Sequence, residues 1–511
     1  MLHRSKPGFL AMISSVLFFG VLSTTPLCLG QLSSSATITG TVVDASGAVV
    51  PQAAIVAVNE STNVRTTTQS NSDGGFVLPG LPVGSYTVTV TKQGFQTYTE
   101  TGIILHPTLV ANVNPVLKVG QVTQEVSVSA SAVQVETSTN EVSGEVSGQQ
   151  AATLPINGRN FQSLGVLMPG VTNITPGKAA AQGGDAQNNF ISINGMGQAG
   201  TLTTLDGIWN TDAGAMDDLS VTPPPETVEE MRILQNNYSV QYNLYGANVI
   251  VLQTKSGTST FHGNAWEYFR NDALDARNFF SPTVPPLKQN IFGYTFSGPI
   301  FIPHHYNTNR QKTFFFLSTQ WVRQHMASVV RGADPTAEMR SGIFDTPITN
   351  PETGQLFPQN GSGQYQIPSS MLNSSSLVFL NAVAPLPNNP SGGFLNYLNL
   401  APQINKQADV EIKVDHNFSS KLRLMAEYLE EDQTLGAPYQ SWLGSPYNTS
   451  GNPDLTFNKM AQIQLAAQKA QRRQPTAQDE RFRRRRATFS PASGRWRPRL
   501  SSWGFGRPAS A

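Results

Sequence analysis

Between Asp409 and Phe418 the chain reads DVEIKVDHNF, with Val410, Ile412 and Val414 at even positions and Glu411, Lys413 and Asp415 at odd ones. A period of two fits only an extended strand, because successive side chains there point to opposite faces. After Ser419-Ser420 the pattern resumes in KLRLMAEY, where Leu422, Leu424, Ala426 and Tyr428 oppose Arg423, Met425 and Glu427. NIFGYTFSGPI repeats it with Phe292, Tyr294 and Phe296 against Gly293, Thr295 and Ser297. Such strands serve a lipid-facing barrel wall with apolar side chains outward. A soluble sandwich shows the same alternation, so periodicity alone leaves the two open.

Composition narrows the setting. Charged residues are 13% of the 511, against roughly 25% in ordinary soluble proteins, and small polar residues are abundant, which suits exported β-structure. The formal net charge of +1 hides an asymmetry: the stretch from Met460 to Ala511 holds 12 of the 34 Lys and Arg and only 2 of the 33 Asp and Glu. The body before it is acidic. At the N-terminus, His3, Arg4 and Lys6 precede an apolar run from Phe9 to Leu22 and the polar LCLGQ. This predicts a secretory signal over residues 1–30, cleaved after Gly30, since the run is too short to span a membrane. Cys28 is the single cysteine and would leave with it, so no internal disulfide and no thiolate metal site are expected. No later segment has 18 consecutive apolar residues. Membrane residence therefore requires a β-barrel.

From Ala36 to about Lys118, short strands alternate with turns such as ASGAVVPQ and NSDGGF, which supply Gly, Asn and Asp where positive φ is needed. The spacing predicts a small β-sandwich. ITGTVVDASGAVVPQAAIVAV, SDGGFVLPGLPVGSYTVTVTKQGF and VNPVLKVG, with Gly40, Gly47, Pro51, Asp73, Gly75, Phe76, Leu81, Pro82, Gly84 and Tyr86 in order, resemble the carboxypeptidase regulatory-like family. The resemblance implies a transthyretin-like sandwich over residues 31–118 with structural residues and no peptidase activity. Carbohydrate binding is carried as an expectation. Tyr86 is expected to pack on the core with its hydroxyl bonded.

FISINGMGQAG, from Phe190 to Gly200, has glycines at 195, 197 and 200 in the spacing of a dinucleotide loop. That loop needs a helix directly after it. TLTTLDGIWNTD follows instead, a strand and a turn at Asp206-Gly207, so no helix N-terminus receives a phosphate. ISINGMG, TLDGIWN and PPPETVEEMRILQNNYSVQYNLYGANVIVLQTKSGT stand in the order found in the plug domain of TonB-dependent outer-membrane receptors, which residues 151–258 resemble. The matching positions are Asn194-Gly195, Asp206-Gly207 and Tyr245-Gly246, all with structural roles. Asn194 stands where many members have Arg, and RILQNN replaces a commoner Arg-Ile-Glu-Val core. Glu226 to Glu230 are expected to open a short helix after the prolines, and NFQSLGVLM another.

The resemblance implies barrel strands over 259–459, joined by long loops, and a partner, the TonB complex of the inner membrane, besides outer-membrane lipid and an unidentified ligand. Residues 119–150 form a linker strand, and its TQEVSVSA, with Thr123, Glu125, Val126, Val128 and Ala130, is the candidate TonB contact by β-augmentation. A plain linker strand explains those residues equally well. Barrels of this family need about 22 strands, and about five are read before Met460. The basic tail over 460–511 is expected to be an out-of-frame translation ending a truncated gene product; RFRRRR is not read as a nucleic-acid arm.

Catalytic chemistry is not legible. The seven His residues make no metal-binding pair at recognised spacing, and no G-x-S-x-G elbow occurs. Asp206, Asp212, Asp217 and Asp218 are expected to be turn and solvent residues, or ligand contacts on an outward face. No catalytic, cofactor or metal site is predicted. The fold expected is mainly β: an N-terminal transthyretin-like sandwich, an α+β plug and the start of an antiparallel transmembrane barrel. The function expected is energised uptake by an outer-membrane receptor. The alternative is a secreted β-rich adhesion or scaffold protein.

Overall fold

The computed structural model describes residues 35–469 except 121–124, 130–140, 157–158, 174–190, 197–199, 212–218, 240–241, 243–247, 278, 280–282, 328–329, 390–391, 420–421 and 438–453. The expected signal, with Cys28, and the tail beyond 469 lie outside the described residues, as do Thr123, Ala130, Asp212, Asp217, Asp218, Tyr245 and Gly246. The fold is mainly β. No helix among the described residues is long and apolar enough to cross a membrane.

The sandwich is built from β1 (Ala36–Thr41), β2 (Ala54–Asn59), β3 (Arg65–Gln69), β4 (Gly75–Leu81), β5 (Gly84–Thr91), β6 (Thr97–Leu105), β7 (Val110–Asn112) and β8 (Glu125–Ser129). A three-stranded sheet in the order β4-β1-β7 faces a five-stranded one in the order β8-β6-β5-β2-β3. Alternation drives the packing, since Ile38, Ile55, Ala57, Val88 and Val90 are fully buried while their neighbours along each strand are not. Tyr86 joins this core, and its hydroxyl donates to Pro82 O at 2.9 Å. The expectation of a bonded hydroxyl is met, and burial pushes the phenol up to about 12.

The middle domain has a five-stranded sheet of β9 (Val142–Ser147), β12 (Thr201–Leu205), β13 (Ile208–Trp209), β14 (Val228–Asn236) and β15 (Asn248–Thr254), ordered β9-β14-β15-β12-β13. A ribbon of β10 (Val171–Asn173) and β11 (Ile191–Ile193) lies beside it. Strand β9 arises inside the stretch read as a linker and leads into helix α1 (Gly148–Thr153), where Ser147 and Gln150 form a capping box. NFQSLGVLM gives a 3-10 helix over Phe161–Leu167.

The helix expected at Glu226 to Glu230 is corrected. Only Pro225–Thr227 make a 3-10 turn, and Val228, Glu229 and Glu230 already belong to β14. The prolines set the entry, but pairing with β9 on one side and β15 on the other outweighs any helical preference. After Gly200 the chain enters β12 directly, so the glycine spacing is no nucleotide loop.

Six long strands follow as one antiparallel meander, the wall: β16 (His262–Asn271), β17 (Leu287–Pro299), β18 (Thr313–Ala327), β19 (Pro402–Ser419), β20 (Leu422–Ala437) and β21 (Asp454–Lys469). Strand β21 runs through Met460, where the sequence reading began the basic tail, and pairs with β20 along its whole length. The outward face carries Phe292, Tyr294, Phe296 and Ile412, all exposed. Phe292 stacks on Trp321 at 5.5 Å between ring centroids, and Phe261, Phe296 and Phe315 cluster nearby. Exposed aromatics on one face of long alternating strands are what lipid contact demands.

Candidate functional site at the inner face of the wall

The odd positions of β19 place Asn405, Gln407, Asp409, Glu411, Lys413 and Asp415 on the inward face. Each is buried, with Lys413 at 1% and Glu411 at 3% exposure. Polar side chains stay buried when partners are at hand: Gln433, Gln320 and Arg423 of the wall serve Asn405, Asp409 and Asp415, and Lys413 is served by the middle domain.

Its contribution begins at a two-residue hairpin. Leu205 pairs with Ile208 across Asp206 and Gly207, whose φ values of 49° and 85° are both left-handed. This is the tight turn that suits a hairpin's twist, and Asp-Gly is among its preferred sequences. The turn aims Asp206 at the wall. Its carboxylate lies 2.9 Å from Lys413 Nζ, in an ion pair with side-chain exposures of 0% and 1%. Lys413 also donates to Thr254 Oγ1 at 3.0 Å. Thr254 Oγ1 lies within donating distance of Asp206 Oδ2 at 2.7 Å and Glu427 Oε1 at 3.2 Å, and Gln253 Nε2 donates to Asp206 as well. The expectation that Asp206 is a turn residue holds, but its exposure to solvent is corrected. The turn is buried against the wall, where Asp206 pairs with Lys413, the one inward lysine of β19.

Two further contacts frame this centre. Thr222 N donates to Glu431 Oε2 at 3.0 Å, and Leu429 of β20 packs into the apolar core of the middle domain. Asp415 pairs with Arg423 at 2.7 Å within the wall. On another side, Arg159 pairs with Glu226 while its guanidinium carbon lies 3.6 Å from the Tyr268 ring centroid on β16. Tyr268 Oη donates to Glu226 Oε1 at 3.2 Å. Arg is suited to such a site because its flat, always charged head can pair and stack together.

The sandwich is docked too. Arg232 of β14 donates to Pro107 O at 2.7 Å and Thr108 Oγ1 at 3.1 Å, and pairs with Glu141 at 3.2 Å. Ser259, at the start of the wall, donates its N–H to Ser61 O at 3.0 Å. Beside Arg232, burial pushes the Glu230 carboxyl up, while its bond to His106 pushes the imidazole up.

Among the residues singled out in the sequence, Asp206-Gly207 lies at this buried centre. Asn194-Gly195, with φ values of 53° and 78°, forms an exposed turn after β11, where Asn194 N donates to Gly170 O at 2.8 Å. Glu125, Val126 and Val128 lie in β8, which pairs in parallel with β6 at the edge of the sandwich sheet. Sequence reading missed Lys413, Thr254, Arg159, Glu226 and Arg232 as interface residues. The usable signal was Lys413 alone among acids at 409, 411 and 415 on one strand face.

Comparison with known proteins agrees with this geometry. Residues 37–118 match the family Carboxypeptidase regulatory-like domain, 126–249 match TonB-dependent Receptor Plug Domain, and 253–470 match Outer membrane beta barrel domain. The middle of the chain is thus matched as a TonB-dependent receptor plug and the part after it as an outer-membrane barrel. The middle domain is therefore the plug and the wall a partial barrel sheet, in a protein of the bacterial outer membrane. The TonB-dependent transporter Oar of Myxococcus xanthus is 26% identical over 297 residues, covering 52% of this chain and 25% of that protein. The chain thus spans about a quarter of that relative's length. Among solved structures, the outer membrane transporter YddB from Escherichia coli is 10% identical with a TM-score of 0.37, covering 58% of this chain and 35% of that one. The siderophore receptor PirA from Acinetobacter baumannii is 15% identical with a TM-score of 0.31, covering 64% and 44%.

Proposed function

We propose that the chain acts in energised uptake of a ligand across the outer membrane, as a receptor whose plug is released from the barrel wall by TonB. The observation that supports this best is the chemistry of the plug–wall contact around Asp206 and Lys413. An element that must stay fixed is most simply held by apolar packing. One held by buried ion pairs and hydrogen bonds parts into two polar surfaces, each of which water can solvate. A plug that shifts when ligand and TonB bind is a two-state element of that kind. No catalytic role is assigned, and the ligand stays unnamed.

The TonB contact is proposed at β8. Its parallel partner β6 occupies one edge, and the other edge of Glu125–Ser129 is the end of the sheet. An added strand would pair there through main-chain bonds. The experiment uses the full chain in detergent with the purified periplasmic domain of TonB. The expected result is a complex that is abolished by Val126→Pro or Val128→Pro, because proline removes a ladder donor. A complex indifferent to both prolines would overturn the assignment to β8, and the lack of any complex would overturn the coupling to TonB. Recovery of the chain from outer-membrane fractions is expected alongside.

A further inference from the structure

At the seam between sandwich and plug, three residues remote in sequence meet. His106 lies in the turn between β6 and β7, Glu145 is on β9 and Glu230 on β14. Strand pairing sets Glu145 opposite Arg232 and Ser147 opposite Glu230, which makes the two carboxylates diagonal neighbours. His106 Nδ1 lies 3.1 Å from Glu145 Oε2 and 3.1 Å from each carboxylate oxygen of Glu230. The three ligand atoms all lie within 4.8 Å of one another. One ring nitrogen thus faces three carboxylate oxygens, and it can offer them a single N–H. Acceptors outnumber the donor. The nearby Arg232 is occupied elsewhere, by Pro107 O, Thr108, Glu141 and Ser143, the last at 2.9 Å.

We infer that His106, Glu145 and Glu230 form a site for a first-row divalent cation, zinc above all, which ties the sandwich to the plug. Ligands placed 2.0–2.2 Å from a tetrahedral zinc stand roughly 3.3 Å apart, close to the 3.1 Å from His106 to each carboxylate. One imidazole and two carboxylates suit zinc better than a soft, thiolate-seeking metal. The burial is also graded as a site requires: Glu230 is 8% exposed and held in the sheet, while the Glu145 side chain is half exposed and leaves a path for the ion and a water ligand. A bound cation would lie against the buried Glu230 carboxylate and offset its charge. It would also join the 106–108 turn to β9 and β14, so the docking of the sandwich on the plug would depend on metal. The inference uses the domain assignment but not transport, so it can fail while the uptake reading stands.

The test is equilibrium dialysis of the full chain in detergent, stripped with chelator and then exposed to zinc. The wild type is expected to hold one tight zinc equivalent that His106→Asn loses and Glu145→Gln binds at least tenfold more weakly. The Glu145 side chain is half exposed, so its variant keeps the fold and reports even if the His106 variant does not. The double variant His304→Ala, His305→Ala removes the adjacent histidine pair of the 300–312 turn and should leave the tight equivalent intact. Equal zinc affinity in wild type and Glu145→Gln would mean that the three residues merely share a proton, and would overturn the site. Loss of zinc with His304 and His305 would overturn it equally.

Discussion

The interior of the sandwich and the seam between plug and wall are equally shut off from water, yet their chemistry is opposite. Ile38, Ile55 and Val88 are fully buried among other apolar side chains. Asp206 and Lys413 are just as deeply buried, but as a charged pair bonded through Thr254. Apolar burial is non-directional and favours any close-packed arrangement of the right volume. A buried ion pair gains little over an apolar replacement, yet it strongly penalises any state in which one charge stays buried alone. The sandwich interior therefore stabilises a domain, whereas the seam specifies a docking position and lets it be left as a whole.

The sharpest way to break this contrast is to remove one charge. Lys413→Met should cost about 3–5 kcal/mol by leaving Asp206 buried without its counter-ion, read from thermal or denaturant unfolding of the full chain in detergent. Adding Asp206→Asn should recover much of the loss. In the sandwich, Ile38→Ala should cost about 2–5 kcal/mol through a cavity, and no change at the seam should rescue it. If Asp206→Asn rescued Ile38→Ala as well, the two regions would not be distinct. The smallest effect belongs to Tyr86→Phe, which removes the bond to Pro82 O inside the sandwich and should cost about 1 kcal/mol. Its loss should appear only in the unfolding of the sandwich, with the plug–wall contact unchanged.

Much of this architecture was legible in the sequence because it rests on local rules. Val410, Ile412 and Val414 announced the lipid face of β19, and Asp206-Gly207 announced a hairpin turn, since each depends on residues adjacent in the chain. Partnership was not legible. Asp206 and Lys413 are over two hundred positions apart, as are none of the residues that set the turn itself, and period-two alternation says which face a lysine occupies but not what covers that face. The helix expected at Glu226 failed for a related reason. Prolines and acids make a good helix start, but Val228 pairs with Thr254 and Glu230 pairs with Ser147 on one side and Gln253 on the other, and tertiary pairing overrides local preference. His106, Glu145 and Glu230 carry no spacing signal at all, because three separate segments bring them together.

The central claim is that Asp206 and Lys413 hold the plug on the wall as a coupled pair. A double-mutant cycle with Asp206→Asn, Lys413→Met and the combination, measured by unfolding of the full chain in detergent, tests it most directly. The account predicts that the two single losses sum to exceed the double loss by about 1–3 kcal/mol. Additivity within about 0.5 kcal/mol would mean that the two charges do not act on each other, and would contradict it.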